Sequence, residues 1–199
     1  MSLTKLFGRK SDKSAGLRVY MDPIEFSQIL TILDTLRARR VLEWGAGGSG
    51  KALLEACPYV ERYVSIEHHE AWYERVKEHS RDPRLELVFV PPNQPVDKPD
   101  PTPEELIAWD ARAEVEPAIL ADYVAHPRSL GIDFDAVLVD GRARRLCCAE
   151  GFELLRPGGV LILHDAQREQ HHSAIEALGD VRFLEPWKQG QVAFVRKPD

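Results

Sequence analysis

The sequence predicts an α/β domain in which a mostly parallel sheet carries helices on both faces. Three observations lead there. Short runs rich in Val, Ile and Leu alternate with segments of helical periodicity from residue 23 onward. Two of those runs, Phe134 to Asp140 and Val160 to His164, are dominated by Val, Leu and Ile, the pattern of central strands buried on both faces. The last two runs, Val181 to Leu184 and Gln191 to Val195, are separated only by Glu185 to Gly190. That spacing suits a hairpin and implies one antiparallel strand on the sheet.

The elements follow in order. A helix is predicted from Pro23 to Arg39, with Asp22 as N-cap, Pro23 at the first helical position, Glu25 in the first turn and Ile24, Ile29, Ile32, Leu33 and Leu36 on its apolar face. Strand one is Arg40 to Trp44. A glycine-rich turn, Gly45 to Gly50, leads into a helix from about Lys51 that ends before Pro58. Strand two is Arg62 to Glu67, a helix runs from about Glu70 to His79, and strand three, Leu85 to Val90, stops at Pro91-Pro92. The next segment, about 91–132, is an insertion. It opens with six prolines between Pro91 and Pro103, then predicts one or two helices with Thr102 as a cap. Strand four is Phe134 to Asp140. A helix from about Arg144 to Leu155 is closed by Arg156-Pro157-Gly158-Gly159, strand five is Val160 to His164, and a helix from His171 to Leu178 precedes the final pair.

Composition bounds the partners. With 199 residues the chain fits one domain, 19–199, behind a basic tail, 1–18, whose Lys5, Arg9, Lys10 and Lys13 read as solvated and disordered. The net charge of −6 argues against nucleic acid, because phosphate binding needs a concentrated basic face. No apolar run approaches the roughly 20 residues of a membrane span, and the first residues lack a secretory signal. Cys57, Cys147 and Cys148 form no paired framework, which points to reduced thiols in the cytoplasm.

The chemistry concentrates at the strand ends. Gly45, Gly47 and Gly50 satisfy G-x-G-x-x-G directly after a strand, and Glu67 ends the second strand 20 residues beyond Gly47. Glycines let a ligand approach the backbone, and a carboxylate at the second strand end can hold both ribose hydroxyls. Alone, that pattern fits a nicotinamide dinucleotide as well as S-adenosylmethionine. Glu43 favours the second: two residues before the first glycine, its charge suits an ammonium group and opposes a pyrophosphate. The blander readings are a turn cap for Glu43 and a surface ion pair with Arg62 or Lys77 for Glu67.

The runs VLEWGAGGSG, YVSIEHHEAWYERVKE, FDAVLVDGRARR and LLRPGGVLILHDA, in this order, resemble the class I S-adenosylmethionine-dependent methyltransferases. The resemblance covers roughly Val41 to Val195 and leaves the insertion unmatched. It implies a Rossmann-like three-layer sandwich with a seven-stranded sheet of order 3-2-1-4-5-7-6, strand seven antiparallel. It implies S-adenosylmethionine as cofactor, held by Glu43, Gly45, Ala46, Gly47, Ser49, Glu67, His68, Asp140 and Gly141. The activity implied is O-methylation of a small or sugar-like molecule.

Ligands of such sheets bind where strand order reverses, which brings Asp140 and Asp165 to the reacting centre. In O-methyltransferases resembling the catechol type, acids at these two positions hold magnesium, so Asp140 and Asp165 are candidate metal ligands, although Ala166 stands where that group has another oxygen. His164 reads as a ligand, a general base or a buried strand end. Arg142, Arg144 and Arg145 suit an acidic group such as a uronate or phosphate, or else a solvated helix start. Trp72 and Tyr73 read as an adenine wall or as core, Trp109 and Tyr123 as a substrate wall or lid, and His68-His69 and His171-His172 as surface pairs. Two other readings remain open: a nicotinamide-dependent oxidoreductase, and a non-catalytic protein that keeps the S-adenosylmethionine fold. Oligomerisation through the insertion or first helix is open as well.

Overall fold

The computed structural model describes residues 17–98, 100–186 and 190–199. The basic residues Lys5 to Lys13 and residues 187–189 of the predicted hairpin link lie outside that set. Seven strands, β1 (Arg40–Trp44), β2 (Arg62–Glu67), β3 (Leu85–Phe89), β4 (Phe134–Val139), β5 (Leu155–His164), β6 (Val181–Phe183) and β7 (Val192–Arg196), form one sheet. Its order is β3-β2-β1-β4-β5-β7-β6, and β7 runs antiparallel to both neighbours. This is the expected Rossmann-like three-layer topology.

Each central strand sends alternate side chains to opposite faces. On β1, Val41 joins a core with Phe26, Ile29 and Leu33 of helix α1 (Pro23–Leu36) and with Leu53 of α2 (Gly48–Ala56). Leu42 and Trp44 join the opposite core, with Cys147 and Cys148 of α6 (Arg144–Glu153), Ile175 of α7 (His172–Glu176) and the insertion's Ile119 and Leu120. The remaining helices are α3 (Glu70–His79), α4 (Pro103–Ala113) and α5 (Ala121–Ala125), the last followed by a 3-10 turn at His126–Leu130.

Most elements form where the local chemistry directs. Asp22 and Thr102 each cap a helix with a complete capping box, completed by Glu25 and Glu105. α1 ends at Leu36 rather than Arg39 because Arg37 turns left-handed at φ +52. β5 starts at Leu155, five residues earlier than predicted, since Leu155 pairs with Phe134 and the ladder then shifts before Val160 meets Ala136. The Pro-Gly-Gly segment is thus an irregular stretch of strand instead of a separate loop.

Candidate active site

β1 and β4 are neighbours at the point where strand order reverses, so the loops leaving their carboxyl ends diverge and open a crevice. A cleft of about 710 Å³ lies there, a volume suited to a cofactor-sized ligand. Its floor is the turn Gly45 to Ser49 on one side and Asp140-Gly141 on the other. The two loops nearly touch. Gly45 sits at φ +95, its N–H donates to the Ile66 carbonyl at 2.9 Å, and a Cβ added there would lie 2.6 Å from the Gly141 backbone.

Glu67 lines the cleft, and its Oε1 accepts the N–H groups of His68 and His69, each at 2.8 Å. Both bonds fall on one oxygen, which leaves Oε2 for a ligand. The suspected surface pairs do not involve Glu67, because Arg62 bonds Glu86 and Lys77 bonds Glu74. Trp72 also lines the cleft and locks the glycine turn by donating from Nε1 to the Ala46 carbonyl at 2.6 Å. Tyr20 meets the Trp72 ring edge-on, and His68 stacks parallel to Trp109 of α4. Tyr20 and Leu106 are wall residues that the sequence alone did not single out.

Glu43 does not reach the cleft surface. It is fully buried beneath the turn, where its carboxylate accepts from Ser49 Oγ at 2.6 Å and Ser65 Oγ at 2.7 Å. Burial pushes its pKa up to about 7, against the pull of the two hydroxyls. Its contact with the turn therefore runs through Ser49, which does line the cleft.

Across the cleft lies a denser charge cluster. Arg144, only 5% exposed, donates from Nε to the Gly141 carbonyl. Its Nη1 donates to the His164 carbonyl and to Asp165 Oδ2, each at 2.9 Å, and its Nη2 to the Asp140 carbonyl and Asp140 Oδ1. All five guanidinium N–H groups are thereby used. Ala143 precedes it at φ +53, and α6 has no cap of its own; Glu114 at the end of α4 supplies one by accepting from the Arg144 N–H at 2.9 Å. The insertion is in this way tied to the site.

His164 is equally enclosed. Its Nδ1 donates to Asp140 Oδ1 at 2.6 Å, and its Nε2 makes a 3.1 Å ionic contact with Glu25 Oε1, out of line for a hydrogen bond. Burial lowers its pKa, but the carboxylates of Asp140, Glu25 and Asp165 prevail and lift it to about 10. Of the readings open for this residue, the enclosed strand end is the one its burial matches. Asp165, at φ +60, is held at about 2 because the cations of Arg144 and His164 outweigh its burial.

Several expectations need revision. A divalent cation seeks free oxygen ligands, yet the place between Asp140 and Asp165 is filled by the Arg144 guanidinium, and Ala166 is buried beside them. Among the described residues no cluster of three or more His, Cys, Asp or Glu is arranged to hold a metal. The pair does not fit magnesium. Arg145 lies outside the cleft lining, and Arg144 lines it but is buried and spent on the two acids, so of the three arginines Arg142, paired with Asp110 at 2.7 Å, is the more exposed one in the cleft. Arg168, paired with Asp165 at 2.8 Å, joins it there and was not foreseen. Tyr123 is core rather than lid: it is fully buried and its carbonyl accepts from Trp44 Nε1. His171 is buried too, pushed down to about 4 by desolvation and the nearby arginines. Glu25 was visible only as a first-turn acid.

No protein-family model matches the chain, and no curated protein matches it by sequence. Solved structures do. A methyltransferase-like protein from Silicibacter pomeroyi aligns at TM-score 0.58 and 22% identity, covering 92% of this chain and 91% of that one. A putative caffeoyl-CoA O-methyltransferase from Staphylococcus aureus aligns at TM-score 0.60 and 10% identity, over 89% and 85%. An S-adenosylmethionine-bound amino pentose methyltransferase from Micromonospora echinaspora aligns at 0.53 and 16%, over 87% and 90%. At these identities the likeness establishes the fold: it is that of the class I, Rossmann-like methyltransferases.

Proposed function

We propose that this protein is an S-adenosylmethionine-dependent methyltransferase that methylates an oxygen of a small, sugar-like or acidic molecule. The observation that carries the reading is the convergence of the glycine turn, Glu67 and Asp140-Gly141 on one cleft at the strand-order reversal. The cofactor, when bound, supplies a methyl group on a positively charged sulfur. The cleft residues fit it. Glu67 Oε2 is left to accept ribose hydroxyls, and nothing but Ser49, at 3.7 Å or beyond, stands within 4 Å of a Cβ at Gly47, so a ligand can approach the backbone there. Asp140 has Oδ1 bonded to His164 and Arg144, which leaves Oδ2 to face the sulfur charge or accept a substrate proton. His164 and Asp165 act as positioning residues behind it, and Arg142 and Arg168 favour an acidic substrate group.

The antiparallel β7 between β5 and β6 weighs against a nicotinamide enzyme, whose sheet runs 3-2-1-4-5-6. Among the described residues no helix is long and apolar enough to cross a membrane, and all three cysteines are free and buried, in keeping with a cytoplasmic site of action. Isothermal titration tests the cofactor. S-adenosylmethionine and S-adenosylhomocysteine should bind and NAD should not, and Glu67→Ala should weaken binding by about 1.5–3 kcal/mol, the usual range for hydrogen bonds to a charged group. Binding of NAD alone would overturn the reading.

A further inference from the structure

The expected metal pair and the observed Arg144 compete for one place. Asp140 and Asp165 stand at the ends of adjacent parallel strands, where a cation between them would meet both carboxylates. Arg144 already meets both, at 3.3 Å and 2.9 Å, with a side chain only 5% exposed. It is no passing surface arginine. Three backbone carbonyls, of Gly141, His164 and Asp140, take its remaining N–H groups, and Glu114 accepts from its own backbone N–H. The acids are further occupied: His164 bonds Asp140 Oδ1, Gln167 donates to Asp165 Oδ1, and Arg168 pairs with Asp165 Oδ2. A divalent ion entering here would have to displace a fully bonded guanidinium or sit against its charge.

We propose that Arg144 is a built-in replacement for the divalent cation, so that this site holds its two carboxylates bridged and oriented without metal. The inference rests on the methyltransferase reading only for what the site is used for; the occupancy itself stands on these contacts. The substrate then has no metal to chelate and needs no pair of adjacent hydroxyls.

The test follows the Arg144 Nε–H resonance of the isotopically labelled full-length protein during titration with manganese(II), whose unpaired electrons broaden nearby signals. The expected result is no selective loss of that signal at one equivalent, together with an unchanged spectrum in magnesium. Selective bleaching of the Arg144 signal at one equivalent of manganese would overturn the proposal. Arg144→Ala supplies a second arm: if it folds, the backbone signals of Gly141 and Asp165 should bleach with manganese where the parent's do not, and if they stay sharp the position is no cation site and the proposal fails. If the variant does not fold, the parent titration decides alone. Neither arm needs a substrate, so a failed methyltransferase reading would show separately, as absent binding of S-adenosylmethionine.

Discussion

Glu43 near the end of β1 is fully buried and Asp165 just past the end of β5 is half-buried, and the protein treats the two acids in opposite ways. Glu43 is met by two neutral hydroxyls, and burial prevails, lifting it from 4.5 to about 7. Asp165 is met by Arg144, Arg168 and the nearby His164, and the cations prevail, taking it from 3.8 to about 2. Hydroxyls satisfy lone pairs without cancelling charge, whereas a guanidinium does both. One half of the cleft floor therefore rests on an acid whose burial raises its proton affinity towards neutral pH, and the other on an acid that its cationic neighbours hold well below the usual carboxylate range.

The largest effect should come from removing the internal cation. Arg144→Ala strands Asp140 and Asp165 beside His164, and breaking a buried pair of this kind costs about 3–5 kcal/mol; urea unfolding reads it. A variant within about 0.5 kcal/mol of the parent, the range of an ordinary surface change, would break the contrast. Next comes the pH dependence of the other half. Because Glu43 is raised in the folded state, its favourable contribution is complete below 4.5 and is lost as pH climbs through about 7, a change of about 3 kcal/mol at most. Glu43→Gln should abolish that part of the slope, so comparing unfolding of parent and variant at mildly acidic and mildly alkaline pH measures it. His164, raised to about 10, contributes in both proteins and cancels from the difference. Equal slopes would mean that Glu43 is ionised throughout. The smallest effect belongs to Arg168→Ala. Its side chain is 46% exposed, and such pairs contribute about 0–1 kcal/mol, so unfolding should barely move; a large loss would shift the holding of Asp165 from Arg144 to Arg168.

The frame of the sheet was legible because its signals are local. β1, β2 and α3 begin and end where alternation, apolar runs and breakers put them. The glycine turn and Glu67 were legible for the same reason, since a strand, a turn and a strand-end acid sit within one short stretch. The acid cluster was not. Arg144 read as a substrate-facing arginine or a solvated helix start because nothing near it in sequence says that β5 will bring the His164 carbonyl and Asp165 to its Nη1. Glu25 read as a helix-start acid, and it is one, with Oε2 accepting from the Asp22 N–H; its second oxygen meets His164 only because α1 packs across the end of β5. Tyr123 and His171 went astray likewise. Polar residues give no periodic signal of burial, and their partners are assigned by the tertiary fold.

The glycine turn also carries a lesson about what a sequence signature records. A side chain at Gly48 would collide with the Arg18 carbonyl, 2.5 Å from the added Cβ, because residues 17–19 pass directly over the turn. At Gly47 the same addition meets only Ser49, at 3.7 Å or beyond. Two adjacent glycines in one motif thus answer to different masters, one to the chain crossing above it and the other to whatever molecule enters the cleft. Replacing the first would report on how the amino terminus is threaded, and replacing the second on the visitor alone.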